Sequence, residues 1–177
     1  MHITDLASVE TWKELERFIS ENYDMNGRVY DPEGKPFTGQ AYWCNRLCPA
    51  VRQNPAALSA ICSSAHQNMA IQARNSGKPV IGECDLGLCK IVVPIHASGE
   101  YIGAVGGCGR LPEDGAVEEF VAEKTAGLSK TELEELSADL KTMSQAEAED
   151  MAAALSARVA DLTRRLLNSA DDFKKTG

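Results

Sequence analysis

The sequence predicts an α+β fold, an antiparallel sheet flanked by helices with a C-terminal helical extension. Three observations carry that prediction. The stretch Cys84–Ile95 ends in the β-branched run Ile91-Val92-Val93, which at this length favours a buried strand over a helix. Strand-like segments at Val80 to Cys84, Cys89 to Ile95 and Tyr101 to Val105 follow one another through short turns, as in a meander. Capped, helix-periodic segments lie on both sides of that meander.

The elements follow in chain order. Ser8 caps a helix over 8–23, in which Val9, Trp12, Leu15, Phe18 and Ile19 recur at helical spacing. Arg28-Val29-Tyr30, the turn Asp31-Pro32-Glu33-Gly34 and Lys35-Pro36-Phe37-Thr38 read as a short hairpin with an edge second arm. Asn54-Pro55 starts a helix to about Asn75, and Cys62 and His66 sit side by side on it at i and i+4. Pro94 ends or edges the central strand, having no N–H for a ladder. Gly106-Gly107-Cys108-Gly109 reads as a turn where backbone approaches something closely or takes φ > 0.

After Pro112 the chain turns acidic and helical, near 116–125 and 130–142, and then in a long helix opened by Ser144 and Glu147. Along that helix Leu155, Val159, Leu162, Leu166, Ser169 and Phe173 form a heptad-like seam. The seam suits packing on its own domain, a homodimer or a connector in a longer signalling chain. The division is therefore an α/β core over 1–112 and C-terminal helices over 113–177.

Composition narrows the function classes. A chain of 177 residues buries a sizeable core, about 70% of its unfolded surface, without cross-links. A formal charge of −8 disfavours direct nucleic-acid binding and docking on an anionic membrane. No stretch approaches the ~20 apolar residues of a membrane span, and the start lacks the regions of a secretory signal. The expected address is cytoplasmic, where six cysteines are metal-binding, catalytic or redox-active more often than disulfide-bonded.

Five thiols stand beside turns, glycines or helix ends: Cys44, Cys48, Cys62, Cys84 and Cys108. We read them as one shared site holding a cofactor or metal, and Cys89 as a core residue on the face of Ile91, Val93 and Ile95. Their spacing lacks both zinc knuckles and the ferredoxin run, so an iron–sulfur cluster assembled from several elements is the first candidate. Zinc, or no metal at all, is the alternative. Trp43, His66, Asp85 and Gly107 are the candidate pocket residues around the thiols. No nucleophile–base pair or phosphate cradle appears, so the chain is read as a non-enzyme.

In order, Cys48, Cys62, Gly77-Lys78-Pro79-Val80, Cys84-x-x-Gly87-Leu88, Val93-Pro94-Ile95 and Gly103-Ala104-Val105-Gly106-Gly107 resemble the PocR sensory domain family over Leu6 to Leu167. The resemblance implies a PAS-like or GAF-like fold and a ligand-sensing role, usually beside DNA-binding, kinase or cyclic-nucleotide output domains. It also implies small organic ligands, such as short diols and hydrocarbon derivatives, and a downstream signalling partner. Cys48, Cys62 and Cys84 match the family's recurrent cysteines. The chain departs from it at Asp85-Leu86, at Cys108 and at the additional Cys44, and so resembles a cysteine-richer branch. Three function classes follow: a sensor whose thiols hold a cluster or metal and read a redox or small-molecule signal, a metal-free sensor of small organic ligands, and a redox enzyme or cofactor carrier.

Overall fold

The computed structural model describes residues 1–175, with side chains through Leu166. Helix α1 (Ile3–Leu6) leads into α2 (Val9–Tyr23), whose N-cap Ser8 accepts from the Thr11 N–H. Strands β1 (Arg28–Tyr30), β2 (Val80–Glu83), β3 (Cys89–Ala97) and β4 (Glu100–Pro112) form an antiparallel sheet in the order β1-β4-β3-β2. Between β1 and β2 lie α3 (Leu47–Arg52), α4 (Pro55–Ala57), a π-helical turn (Leu58–Ser63) and α5 (Ser64–Ser76). After β4 come α6 (Glu119–Val121), a second π turn (Ala122–Ala126) and α7 (Lys130–Ser137). The two-residue β5 (Thr142–Met143) then pairs parallel to the end of β4, and α8 (Gln145–Lys175) closes the chain.

Local sequence explains most of these boundaries. Ser129 and Glu132 form a complete capping box, and Ser144 exchanges the same pair of bonds with Glu147. Asn54 accepts from the Ala56 and Ala57 N–H groups, with Pro55 at the first helical position. The predicted hairpin arm at 35–38 is reduced to one bridge, Tyr30 to Pro36, with backbone bonds from the Phe37 N–H to the Val29 carbonyl and from the Asp31 N–H to the Lys35 carbonyl. β3 continues through Pro94 to Ala97, but its pairing with β2 stops at Val92, so the proline stands where that side of the strand is an edge.

The glycine run is the clearest departure from the sequence-based expectation. Gly106 to Gly109 is a continuation of β4 and not a turn. A Cβ on Gly106 would lie 1.9 Å from the Ile91 carbonyl oxygen, so the close approach is to the neighbouring strand itself. Gly109 has φ +113°, a conformation that side chains disfavour.

The sheet has two unlike faces. Ile91, Val93, Ile95, Val29 and Val105 point to one side, where α1, α2 and α8 cover them with Trp12, Ile19, Met151, Leu155 and Val159. Each such large side chain is worth about 1.5–3 kcal/mol when fully buried. The alternate residues point the other way: Val92 and Ala104 pack on Met69, Ala70 and Ala73 of α5. The segment after 113 contributes to both interiors, through Met143, Met151 and Leu155 on one side and Ala122 and Leu133 on the other. Of the heptad-like seam, Leu155 and Val159 are buried in this core and Leu162 and Leu166 pack against it, while Ser169 and Phe173 fall outside the described side chains.

Candidate functional site

On the α5 side, next to that small apolar cluster, the sheet and the α3–α4 region leave a cavity of about 40 Å³. β1 and β4 supply Arg28, Tyr30 and Cys108, and β3 supplies Lys90. Helix α3 adds Cys48, Val51 and Arg52, the first π turn adds Ile61 and Cys62, and the turn before β3 adds Cys84, Leu86 and Leu88. A π turn at a site wall is a recurrent device, widening a helix where a side chain must be re-aimed. The turn of Cys84 is tied by bonds from its N–H to the Leu88 carbonyl and from the Gly87 N–H to its own carbonyl. Gly87 is in the left-handed region, and a Cβ there would meet the Ala116 carbonyl oxygen at 2.6 Å.

Two buried asparagines fix the loop that carries the first thiols. Asn45 donates to the Gly109 carbonyl at 2.7 Å and stands 3.4 Å from Cys48 Sγ and 3.6 Å from Cys44 Sγ, while its oxygen accepts from the Cys48 N–H. Asn26 accepts from the Cys44 N–H, donates its own N–H to the Cys108 carbonyl and reaches Cys108 Sγ at 4.0 Å. The loop and β4 are thus pinned by side-chain amides at the rim, which neither apolar periodicity nor thiol spacing reveals.

The structure brings Cys48, Cys62, Cys84 and Cys108 to one cavity. Cys44 lies just behind it, its Sγ 3.7 Å from the Cys108 carbonyl and 2.7 Å from where a Gly109 Cβ would sit. Cys89 is buried in the opposite core. Trp43 stands at the cavity mouth, 41% exposed, with the Arg28 and Arg52 guanidinium groups 5.5 and 5.7 Å from its ring centroid.

Three predicted pocket residues stand elsewhere. Gly107 points to the apolar face against Met25, Ile19 and Met151, because side chains alternate along β4 and Cys108 takes the cavity side. Asp85 is exposed on its turn. His66 is buried beside the cavity, one layer behind Tyr30, on which its ring stacks at 3.6 Å. The helix widens between Cys62 and His66, so their i, i+4 spacing does not put them in the same space.

The electrostatics are unusual. Burial holds four thiols at the site protonated: Cys84 is pushed up to about 11 and Cys44 to about 12, with neighbouring thiols adding to the effect, while Cys48 and Cys62 move the same way. Burial opposes the charge of Lys90, and Tyr30 and the surrounding thiols, once ionised at high pH, draw its pKa above the usual value. Burial drives His66 down to about 3, helped by Lys90, and neither of its ring nitrogens has a hydrogen-bond partner. Sequence reasoning overlooked Lys90 and Arg28. A lone lysine inside the apolar run Cys89–Ile95 was the available signal.

Among the described residues no three His, Cys, Asp or Glu side chains stand close enough to hold a single metal ion, and no helix is long and apolar enough to cross a membrane. Searches of curated proteins and of solved structures gave no match. The model of the sensory domain found in PocR matches residues 5–165. With nearly the whole chain covered by that match, and with the antiparallel sheet and flanking helices in place, the protein belongs to the PocR sensory domain family.

Proposed function

We propose that this sensory domain holds an iron–sulfur cluster in its thiol-lined cavity and reads its signal there. The observation that carries the proposal is the convergence of Cys48, Cys62, Cys84 and Cys108 on one cavity from four separate elements. The donor set fits the group: soft thiols, no carboxylate in the lining, and cations at hand to offset the charge of four thiolates. The thiols border one cavity from several sides and, among the described residues, do not converge on a point where a single ion could take three ligands at about 2.3 Å. A bound cluster supplies one-electron redox chemistry and sensitivity to oxidants.

The chain's own residues do the rest. Cys48, Cys62, Cys84 and Cys108 act as the ligands, with Cys44 a neighbouring reserve thiol. Because burial raises the Cys48, Cys62 and Cys84 thiols, loading releases protons and is favoured by rising pH. Leu86, Leu88, Ile61 and Val51 exclude water from the site. Cys108 also provides the way out. Two residues on, Arg110 bonds the Tyr23 and Thr142 carbonyls and Glu147, so a shift of β4 is felt at the first turn of α8. The signal then leaves through α8 to a downstream partner or a second copy of the chain.

Protein prepared without oxygen should be brown, with broad visible absorbance that bleaches on exposure to air. A colourless protein that takes up neither iron nor sulfide contradicts the proposal and favours a metal-free pocket for a small organic ligand.

A further inference from the structure

The cavity is built for negative charge. Arg28, Arg52 and Lys90 line it, and no aspartate or glutamate does. Lys90 is 5% exposed and Arg28 8%, yet none of the ion pairs among the described residues includes either of them or Arg52. Glu16 is the nearest compensation. It lies behind Arg28, committed to the Val29 N–H and the Thr38 hydroxyl, and burial pushes its carboxyl above the usual range. Lys90 has only the Tyr30 ring, 5.7 Å from its Nζ. Burying an ammonium without a partner costs several kcal/mol. In a chain of net charge −8, carboxylates are abundant everywhere except here.

We propose that Lys90, backed by Arg28 and Arg52, selects an anionic guest for this cavity. The missing counter-charge arrives with the guest, and Lys90 is the residue that determines its charge. A thiolate-held cluster has that chemistry, and so has a small organic carboxylate, whereas a neutral diol brings no counter-charge to the three cations. The inference stands on the cavity lining and does not require the cluster reading, which is the favoured source of the charge.

Two experimental arms separate the sources. In the first, the parent, Lys90→Met and Lys90→Arg are reconstituted without oxygen using ferrous iron and sulfide. The expected result is a coloured parent, with K90M several-fold less loaded or poised at a more negative reduction potential, and K90R close to the parent. A tenfold change in the oxidised-to-reduced ratio corresponds to about 59 mV for one electron. Equal loading and equal potential in K90M overturns the inference.

If the parent takes up no iron, the cluster reading fails and the second arm decides. Thermal unfolding is followed with propionate and, separately, with propane-1,2-diol at the same concentration. A rise in Tm with propionate that K90M abolishes supports the inference; a rise with the diol alone, or with neither, overturns it. Guest-free K90M should unfold at or above the parent's temperature, since an unpaired buried charge is gone. Arg52→Gln, at the half-buried rim, is the second variant should K90M not fold, and a parent-like response from it counts against the inference.

Discussion

The two faces of the sheet are made from alternate residues of the same strands and differ in almost everything else. On one face Ile91, Val93 and Ile95 meet Met151 and Leu155 in a closed apolar core, and Gly107 lets Met25, Ile19 and Met151 reach the strand. On the other, Lys90 and Cys108 border a cavity with buried thiols, cations that join no ion pair and, just behind, a histidine whose ring nitrogens have no hydrogen-bond partner. The first face makes the fold. The second carries polar groups whose burial costs stability without a visible return, which is the pattern of a site awaiting its guest.

The largest expected effects lie on the apolar face. Met151→Ala leaves a void between α8 and β4 and should cost about 2–5 kcal/mol of unfolding free energy in denaturant titration. A smaller loss, about 1–3 kcal/mol, is expected from Gly107→Ala, whose Cβ would sit 2.9–3.1 Å from Met151, Ile19 and Met25. By contrast Cys48→Ser in the guest-free protein should cost only about 1 kcal/mol. If the thiol change proves as damaging as Met151→Ala, the two faces are not divided between structure and site.

His66 belongs to the second face, stacked on Tyr30. Its folded pKa of about 3 lies far below the ordinary 6.5, so the unfolded chain binds the proton first as pH falls. Stability should therefore be lost as pH drops below about 6.5 toward 3, whereas above 6.5 this group contributes no slope. His66→Phe keeps the stack on Tyr30 and removes two unsatisfied nitrogens. We expect a gain of about 1 kcal/mol at neutral pH and a shallower acid limb, both read from denaturant midpoints across pH. The smallest effect is kinetic: at pH 8 Cys48, Cys62 and Cys84 of guest-free protein should alkylate more slowly than free cysteine, because burial holds them protonated.

Local signals were read well because they are local. Ser8, Ser129 with Glu132, and Ser144 with Glu147 cap the helices their spacing announces, and the β-branched run lies in a central strand. What escaped depends on partners far away in the chain. The glycine run stays in a strand because β3, Asn45 and Met151 approach it, and no window around Gly106 contains them. The pairing of β5 with Leu111 and Pro112 is equally non-local. In the site, thiol-bearing positions could be listed from turns and glycines, but which face each thiol takes follows from strand alternation and a π turn. That is why Gly107 and Cys108, adjacent in sequence, end on opposite sides of the sheet.

Whether the cavity thiols hold a cluster is read from iron and acid-labile sulfide per chain after anaerobic preparation, for the parent and for single serine replacements of Cys48, Cys62, Cys84, Cys108 and Cys89. We expect a loaded parent, strong loss for the four cavity cysteines and parent-like loading for Cys89→Ser. A parent that binds no iron, or a Cys89 variant that loses as much as the other four, would contradict it.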